Sequence, residues 1–215
     1  MLKKIAVLVS GGGTNLQALI DAQQAGIIKN GEITCVISSS EDAYALTRAR
    51  ENSIGTHVVR WKDYRPDRRS FSEEILRILR EESIDLVVYA GFMVILDEVV
   101  SKAYANRMMN VHPALIPSFC GKGFYGLHVH EAVLQSGVKL TGATVHFVNE
   151  VCDGGPIILQ KAVEVLDDDT PESLQKRVMR EAEWQILPQA VSLFCQDRIV
   201  VNGTRTYIKP ESCCQ

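Results

Sequence analysis

Asn110 and His112 stand two residues apart in RMMNVHPALIPSF, where an apolar run meets Pro113 and Pro117. Residues spaced by two in a strand point to the same face, so the amide and the imidazole share a side and Val111 turns the other way. The prolines remove backbone donors and stop the ladder at that point. Further along, Asp153 precedes a Gly-Gly-Pro turn in VCDGGPIILQ, which leads into another apolar run. An amide donor, an imidazole and a carboxylate suit acyl-type transfer through a tetrahedral intermediate, with no side chain becoming acylated. In such a site Asn110 and His112 stabilise the oxyanion. Asp153 supports the imidazolium and helps remove the nucleophile's proton. The plainer alternative is that Asn110 and His112 satisfy loop carbonyls and that Asp153 is a turn residue.

A second polar feature is SGGGTN, with Gly11, Gly12 and Gly13 followed by Thr14 and Asn15. It joins an apolar run to a helical pattern, where free backbone N–H groups and the helix dipole attract anions. Leu16 stands where a dinucleotide fingerprint needs its third glycine, and Ser38, Ser39 and Ser40 stand where its acidic residue belongs. No Gly-Lys-Ser/Thr follows, so the loop is not a P-loop either. A terminal monophosphate suits it. The alternative is a tight turn with Thr14 as an ordinary helix cap.

Other candidates carry less. His128 and His130 form an H-x-H pair with no spaced Cys, Asp or Glu to complete a zinc set, so they read as residues at a helix start. His57 reads as a strand residue and His146 as support for the site. Asp167, Asp168 and Asp169 read as a solvated lead-in to a helix, and no metal is expected. Without a G-x-S-x-G elbow, a serine hydrolase is disfavoured. The six cysteines form no C-x-x-C pair, which argues against a zinc ribbon and a disulfide framework; free thiols are expected, with Cys213 and Cys214 in a frayed tail.

The elements that must position these groups follow from periodicity. KKIAVLVS is a continuous apolar run, as in a central parallel strand. TNLQALIDAQQA has helical spacing and closes at Gly26. Strand and helix then alternate through EITCVISS, EDAYALTRARENS, THVVR, the amphipathic RRSFSEEILRILREES, IDLVVYAGF and RMMNVH. After residue 140 the texture changes. TGATVHFVNE is near-alternating and GPIILQKAVEVL follows closely, so an antiparallel extension is expected. A long helix covers DTPESLQKRVMREAEWQILPQAVSLFCQ, capped by Asp169 or Thr170, with Pro171 in its first turn and Glu172 completing a capping-box-like pattern. IVVNGTRTYI reads as a hairpin turning at Asn-Gly. The fold class is α/β: a doubly wound, mostly parallel sheet with an antiparallel extension, in one compact domain over 1–215.

Composition agrees with this reading. Of the 215 residues, 46% are hydrophobic and 23% charged, and the net charge of −3 includes no basic block, so no nucleic-acid partner is expected. The apolar run in MLKKIAVLVSGGG is too short to cross a membrane, and it lacks a signal peptide's cleavage site, so a cytoplasmic location is expected.

VSGGGTNLQALIDA, AGFMVIL, MMNVHPALIPSF, GATVHFVNEVCDGGPIILQ and EAEWQILP together resemble the phosphoribosylglycinamide formyltransferases of the folate-dependent formyltransferase superfamily, in order and over almost the whole chain. The resemblance implies a Rossmann-like formyltransferase fold. It also implies direct transfer of a formyl group from 10-formyltetrahydrofolate to the amine of phosphoribosylated glycinamide in purine biosynthesis. By this resemblance Asn110, His112 and Asp153 match the catalytic trio. Gly11 to Asn15 match the phosphate loop, and Glu183 matches a substrate-binding glutamate. Met93, Val94, Ile95 and Leu96, with Asn110 and the segment from Phe147 and Val148 to Asp153, match the folate-binding wall. Thr144 matches a small hydroxyl position near the catalytic water, and His146 and Arg68 are further supporting candidates. Residues 1–100 would then form mainly the phosphate-binding half and 101–215 the catalytic and folate half. Partners would be the two small substrates, with the chain a monomer or homodimer.

Three departures stand out. Gly12 replaces an asparagine common in the family, and Val94 replaces an arginine. The loop FCGKGFYGLHVH is longer, and Lys122 with its flanking glycines reads either as a mobile flap or as a stretch packed on the surface. A formyltetrahydrofolate hydrolase is the nearest rival, and a non-catalytic phosphosugar-binding protein the rival of a different class.

Overall fold

The computed structural model describes residues 2–211, so Cys213 and Cys214 lie outside the described residues. Among the described residues, the mostly parallel sheet has seven strands in the order β3 (Gly55–Val58), β2 (Gly31–Ser38), β1 (Lys3–Val9), β4 (Leu86–Tyr89), β5 (Met108–His112), β6 (Leu140–Phe147) and β7 (Ile157–Glu164), and a separate two-stranded sheet pairs β8 (Ile199–Asn202) with β9 (Arg205–Ile208). The chain divides into two compact units, 1–109 and 110–215.

The first unit contains β1 (Lys3–Val9), α1 (Thr14–Gln24), β2 (Gly31–Ser38), α2 (Tyr44–Glu51) and β3 (Gly55–Val58). It continues with α3 (Trp61–Tyr64), α4 (Arg68–Glu81), β4 (Leu86–Tyr89) and α5 (Glu98–Ala103), and ends at the start of β5 (Met108–His112). β1 pairs in parallel with β2 and β4, and β2 with β3. Ile5 to Val9 are 0% exposed, which explains the continuous apolar run of a strand covered on both faces. The chain winds outward from β1 to β3 and returns on the other side of β1 as β4. The topological switch point, where open α/β sheets bind ligands, therefore falls between the loops after β1 and β4.

α4 shows how pattern becomes core. Asp67 caps it by accepting from the Ser70 N–H. Phe71, Ile75, Leu76, Ile78 and Leu79 are buried, as their spacing predicts. Each such side chain contributes about 1.5–3 kcal/mol of apolar burial. The Phe71 ring meets Trp61 and Tyr64 edge-on, at centroid distances of 5.1 and 5.6 Å, and stacks near Phe92.

The second unit contains α6 (Leu127–Ser136), β6 (Leu140–Phe147), β7 (Ile157–Glu164), α7 (Pro171–Val178), a π-helical turn over Met179–Glu183, α8 (Trp184–Cys195), β8 (Ile199–Asn202) and β9 (Arg205–Ile208). β6 and β7 are antiparallel, as expected. β6 is buried from Thr141 onward, however, and β7 carries the alternation. The π turn interrupts the expected long helix. Pro188 inside α8 has no N–H to return to the carbonyl one turn back, and the wider turn immediately precedes that carbonyl.

Three local expectations need correction. Thr170 caps α7, but the capping box closes through Ser173, one residue after Glu172, because the third helical position reaches back to the cap. Asp169 is not solvated: its side chain is 1% exposed and makes two hydrogen bonds of 2.6 Å from Arg177, which hold its carboxyl down to about 2. The hairpin pairs Asn202 with Arg205, so Gly203-Thr204 form the turn and Asn202 ends the strand.

Phe71→Ala should cost about 3–5 kcal/mol, as expected for removing a fully buried ring. Urea unfolding measures it; a loss below about 1 kcal/mol would show that the aromatic cluster can close over the gap.

Candidate active site

In the first unit, Gly13 is the N-cap of α1, with φ of 72° and no side-chain cap hydrogen bond. Thr14 is therefore the first helical residue and not the cap, which leaves first-turn N–H groups for another acceptor. A Cβ at Gly13 would lie 2.6 Å from the Ala45 Cβ, so the close approach of α1 and α2 and the left-handed backbone both require glycine. The loop is braced from outside. Arg48 Nε donates to Gly12 O at 2.9 Å, its Nη1 donates to Gln17 Oε1 at 2.9 Å, and Ala45 N donates to Gly11 O at 3.1 Å. With these carbonyls turned toward α2, the peptide N–H groups face away from them, an arrangement suited to an anion. Thr14 is exposed and Asn15 is buried.

The loop after β4 reaches the same switch point. Met93 N donates to Ser10 Oγ at 2.9 Å, and Ser10 Oγ shares a 2.7 Å hydrogen bond with Ser39 Oγ. Met93 and Ile95 are 56% and 58% exposed, which leaves an apolar surface at this loop. Beside them lies a cavity of about 310 Å³, lined by Ser39, Arg60, Trp61, Arg65, Met93 and Val94 among others. Leu96 is half-buried, and Arg68 is exposed on the first turn of α4.

In the second unit, Asn110, His112 and Asp153 come together. Asp153 Oδ2 lies 3.6 Å from His112 Nδ1, and Oδ1 lies 3.5 Å from Asn110 Nδ2. Gly121 N donates to Asp153 Oδ2 at 2.9 Å. His146 joins the group, its Nε2 at 3.3 Å from Asn110 Nδ2 and 3.6 Å from Asp153 Oδ1. Asp153 has φ of 55°, a left-handed conformation held by the turn that follows. That turn presses backbone on backbone: a Cβ at Gly155 would lie 1.8 Å from Phe147 O.

Backbone carbonyls assign the imidazole protons. His112 Nε2 lies 2.8 Å from Phe119 O, and His146 Nδ1 lies 2.8 Å from Phe147 O. A carbonyl only accepts, so each of those nitrogens carries the hydrogen. In the neutral rings, His112 Nδ1 and His146 Nε2 are then the basic atoms, and both face Asp153. Asn110 must turn Nδ2, not Oδ1, toward His146 and Asp153, because the opposite flip would set an oxygen against a lone pair and a carboxylate.

The electrostatics follow from burial. His112 is 4% exposed, and desolvation lowers its pKa below the ordinary 6.5, partly opposed by Asp153 and the Phe119 carbonyl. Burial alone would raise the Asp153 carboxyl. His146, the Gly121 N–H and the charge His112 gains on protonation outweigh it and hold the carboxyl at about 2. A neutral base thus sits against a permanent carboxylate.

Glu183 is 6% exposed in the π turn. Phe147 is buried and lends its carbonyl to His146, while Val148 is half-buried. The Thr144 hydroxyl is engaged with the loop after His112, donating to Ala114 O at 2.6 Å and accepting from Ile116 N at 3.1 Å. His128 pairs with Glu131 at 3.1 Å, while His130 is fully buried with neither ring nitrogen hydrogen-bonded. Among the described residues, no group of three His, Cys, Asp or Glu side chains could hold a metal ion. Nor is any helix of those residues long and apolar enough to cross a membrane. Cys35, Cys120 and Cys152 are free thiols. Sequence reasoning missed Arg48, the backbone of Phe119 and Gly121, and the Ser10–Ser39 pair. A basic residue in the helix after the second strand was a faint signal for Arg48, and backbone partners leave none.

The family described as formyl transferase matches residues 3–191. The phosphoribosylglycinamide formyltransferase of Haemophilus influenzae is 38% identical over 207 residues, covering 96% of this chain and 94% of that protein. The crystal structure of glycinamide ribonucleotide transformylase 1 from Symbiobacterium toebii superposes with a TM-score of 0.91 at 41% identity, covering 97% of this chain and 95% of that one. A formyltetrahydrofolate deformylase from Pseudomonas syringae pv. tomato gives a TM-score of 0.87 at 27% identity, over 98% of this chain and 67% of its own. A match over most of the chain, together with near-full-length likeness to such enzymes, shows that the chain belongs to the formyl transferase family.

Proposed function

We propose that this protein is a phosphoribosylglycinamide formyltransferase of purine biosynthesis, carrying the formyl group of 10-formyltetrahydrofolate to the amine of the ribonucleotide. The observation that carries the reading is the single buried carboxylate of Asp153 shared by Asn110 and His112, in a chain so similar to named transferases along its length. The amine nitrogen attacks the formyl carbon, and the carbonyl π pair moves to oxygen. His112 Nδ1, backed by Asp153, takes the proton the amine must lose, and the imidazolium so formed joins the Asn110 amide in stabilising the oxyanion. Collapse of the intermediate expels the folate nitrogen, which takes up a proton, so the formyl group and one proton exchange places. The Phe119 carbonyl keeps Nε2 protonated and therefore keeps Nδ1 as the proton carrier.

Gly11, Gly12, Gly13, Thr14 and Asn15 bind the phosphate, with Glu183 on the substrate. Met93 to Leu96, Phe147 and Val148 contact the folate, and His146 orients the Asn110 amide. Thr144 and Arg68 are supporting residues. We read the chain as one formyltransferase domain, with a phosphate-binding half over 1–100 and a catalytic and folate half over 101–215. It acts in the cytoplasm on small molecules, as monomer or homodimer, without nucleic acid or metal. The deformylase likeness supports a second reading, with water as acceptor. Formate release without the amine would favour that reading.

Purified protein should form formylated ribonucleotide from 10-formyltetrahydrofolate without ATP or added metal, and His112→Ala should lower turnover by roughly 10²–10⁴-fold. No product from folded protein at saturating substrates rejects the function, and near-wild-type turnover in the variant rejects the role of His112. Thr14→Ala combined with Asn15→Ala should raise KM for the ribonucleotide, and an unchanged KM would remove the loop from phosphate binding.

The pH dependence has a definite sign. His112 must be neutral to accept a proton and its pKa is depressed, so the acid limb of kcat/KM should fall below the ordinary value of 6.5. Asp153 raises that pKa, so Asp153→Asn should move the limb to still lower pH while reducing turnover. A limb at or above 6.5, or a shift to higher pH in the variant, contradicts the assignment.

A further inference from the structure

Pro113 and Pro117 leave the turn after His112 short of backbone donors, and Ser118 N to Leu115 O at 3.0 Å is a local hydrogen bond within it. Two side chains from the antiparallel pair hold the turn instead. Thr144 on β6 and Gln160 on β7 stand directly opposite each other in the register. Gln160 Nε2 donates to Ile116 O at 2.9 Å and to Thr144 Oγ1 at 3.0 Å. Thr144 Oγ1 in turn donates to Ala114 O and accepts from Ile116 N. The hydroxyl thereby uses its one hydrogen and both lone pairs, and the Gln160 amide uses both hydrogens. The backbone of residues 114–116 is pinned at three atoms.

The turn so pinned delivers two backbone groups to the site. Phe119 O accepts from the His112 Nε2–H, and Gly121 N donates to Asp153 Oδ2. Phe119 itself has φ of 50°, so the chain does not reach this geometry by default. Gln160 is exposed and lines a cavity of about 460 Å³ with Ile116, Asp153 and the β8–β9 hairpin. Truncating it opens that cavity further and leaves the buried core intact.

We propose that Gln160, acting through Thr144 and the 114–116 backbone, is a positioning residue that fixes which nitrogen of His112 carries the hydrogen of the neutral ring. The inference deepens the formyltransferase reading and rests on it for its kinetic test. Gln160→Ala should lower kcat roughly 10–100-fold, the usual cost of displacing a reacting group by about an ångström, and leave KM for the ribonucleotide within about twofold. Thr144→Val should act in the same direction, while Thr144→Ser, which keeps the hydroxyl, should retain kcat. Imidazole nitrogen NMR gives a readout independent of turnover: His112 should be the Nε2–H tautomer in the wild-type protein and a mixture in Gln160→Ala. If the variant keeps the wild-type tautomer, the proposal is overturned, whatever happens to kcat or melting temperature. It is equally overturned if the tautomer changes and kcat does not. Wild-type protein with no formyl transfer but the tautomer change in Gln160→Ala would instead reject the functional reading and leave the clamp standing.

Discussion

The carboxylate of Asp153 is the constraint around which the second unit is arranged. Buried carboxylates are costly unless their lone pairs are matched, and this one accepts from the Gly121 N–H and the Asn110 amide, with two imidazole nitrogens 3.6 Å away that can donate to it only once protonated. Each match makes a demand of its own. Gly121 must be delivered by the turn after β5, Asn110 must leave the strand on the same face as His112, and His146 must face them from β6. The Gly-Gly turn after Asp153 makes its left-handed backbone and the contact with Phe147 sterically possible. Movement of any of these groups would leave a buried charge undersatisfied, so the site and the local fold stabilise each other.

The same carboxylate explains how His112 can be both buried and useful. Desolvation keeps the ring neutral at rest, and Asp153 limits how far that depression goes. As negative charge develops on a reacting carbonyl, the balance shifts toward the imidazolium, which the carboxylate and the Phe119 carbonyl are already placed to hold. Preorganisation here is largely a matter of hydrogen placement: main-chain oxygens fix one nitrogen of each ring, and the other nitrogens meet at Asp153.

The first unit solves a different problem with different means. Its loop has no charged side chain among Gly11 to Asn15, so attraction for an anion comes from backbone N–H groups and the end of α1. Glycine permits the close packing on Ala45, and Arg48 holds the outward carbonyl. The neighbouring Met93 stretch is tied to Ser10 by the Met93 N–H, and its Met93 and Ile95 side chains lie at the surface.

Element order, the apolar central strands, the buried face of α4 and the shared face of Asn110 and His112 were legible in the sequence because each depends on residue type and short-range period. A strand covered on both faces must be apolar throughout, and a pair spaced by two must share a face. Caps and turns were legible only approximately: Thr170 was a candidate, but Ser173 rather than Glu172 closes the box, and Gly203-Thr204 rather than Asn202-Gly203 make the turn. Asp169 read as solvent-exposed because its partner Arg177 lies about two turns along α7. What tertiary structure alone decided is which hydrogen sits where: the tautomers of His112 and His146, the Gly121 donation and the clamp of Thr144 and Gln160. Main-chain atoms are the same at every position, so a contact made through them leaves no mark in the sequence until the chain is folded.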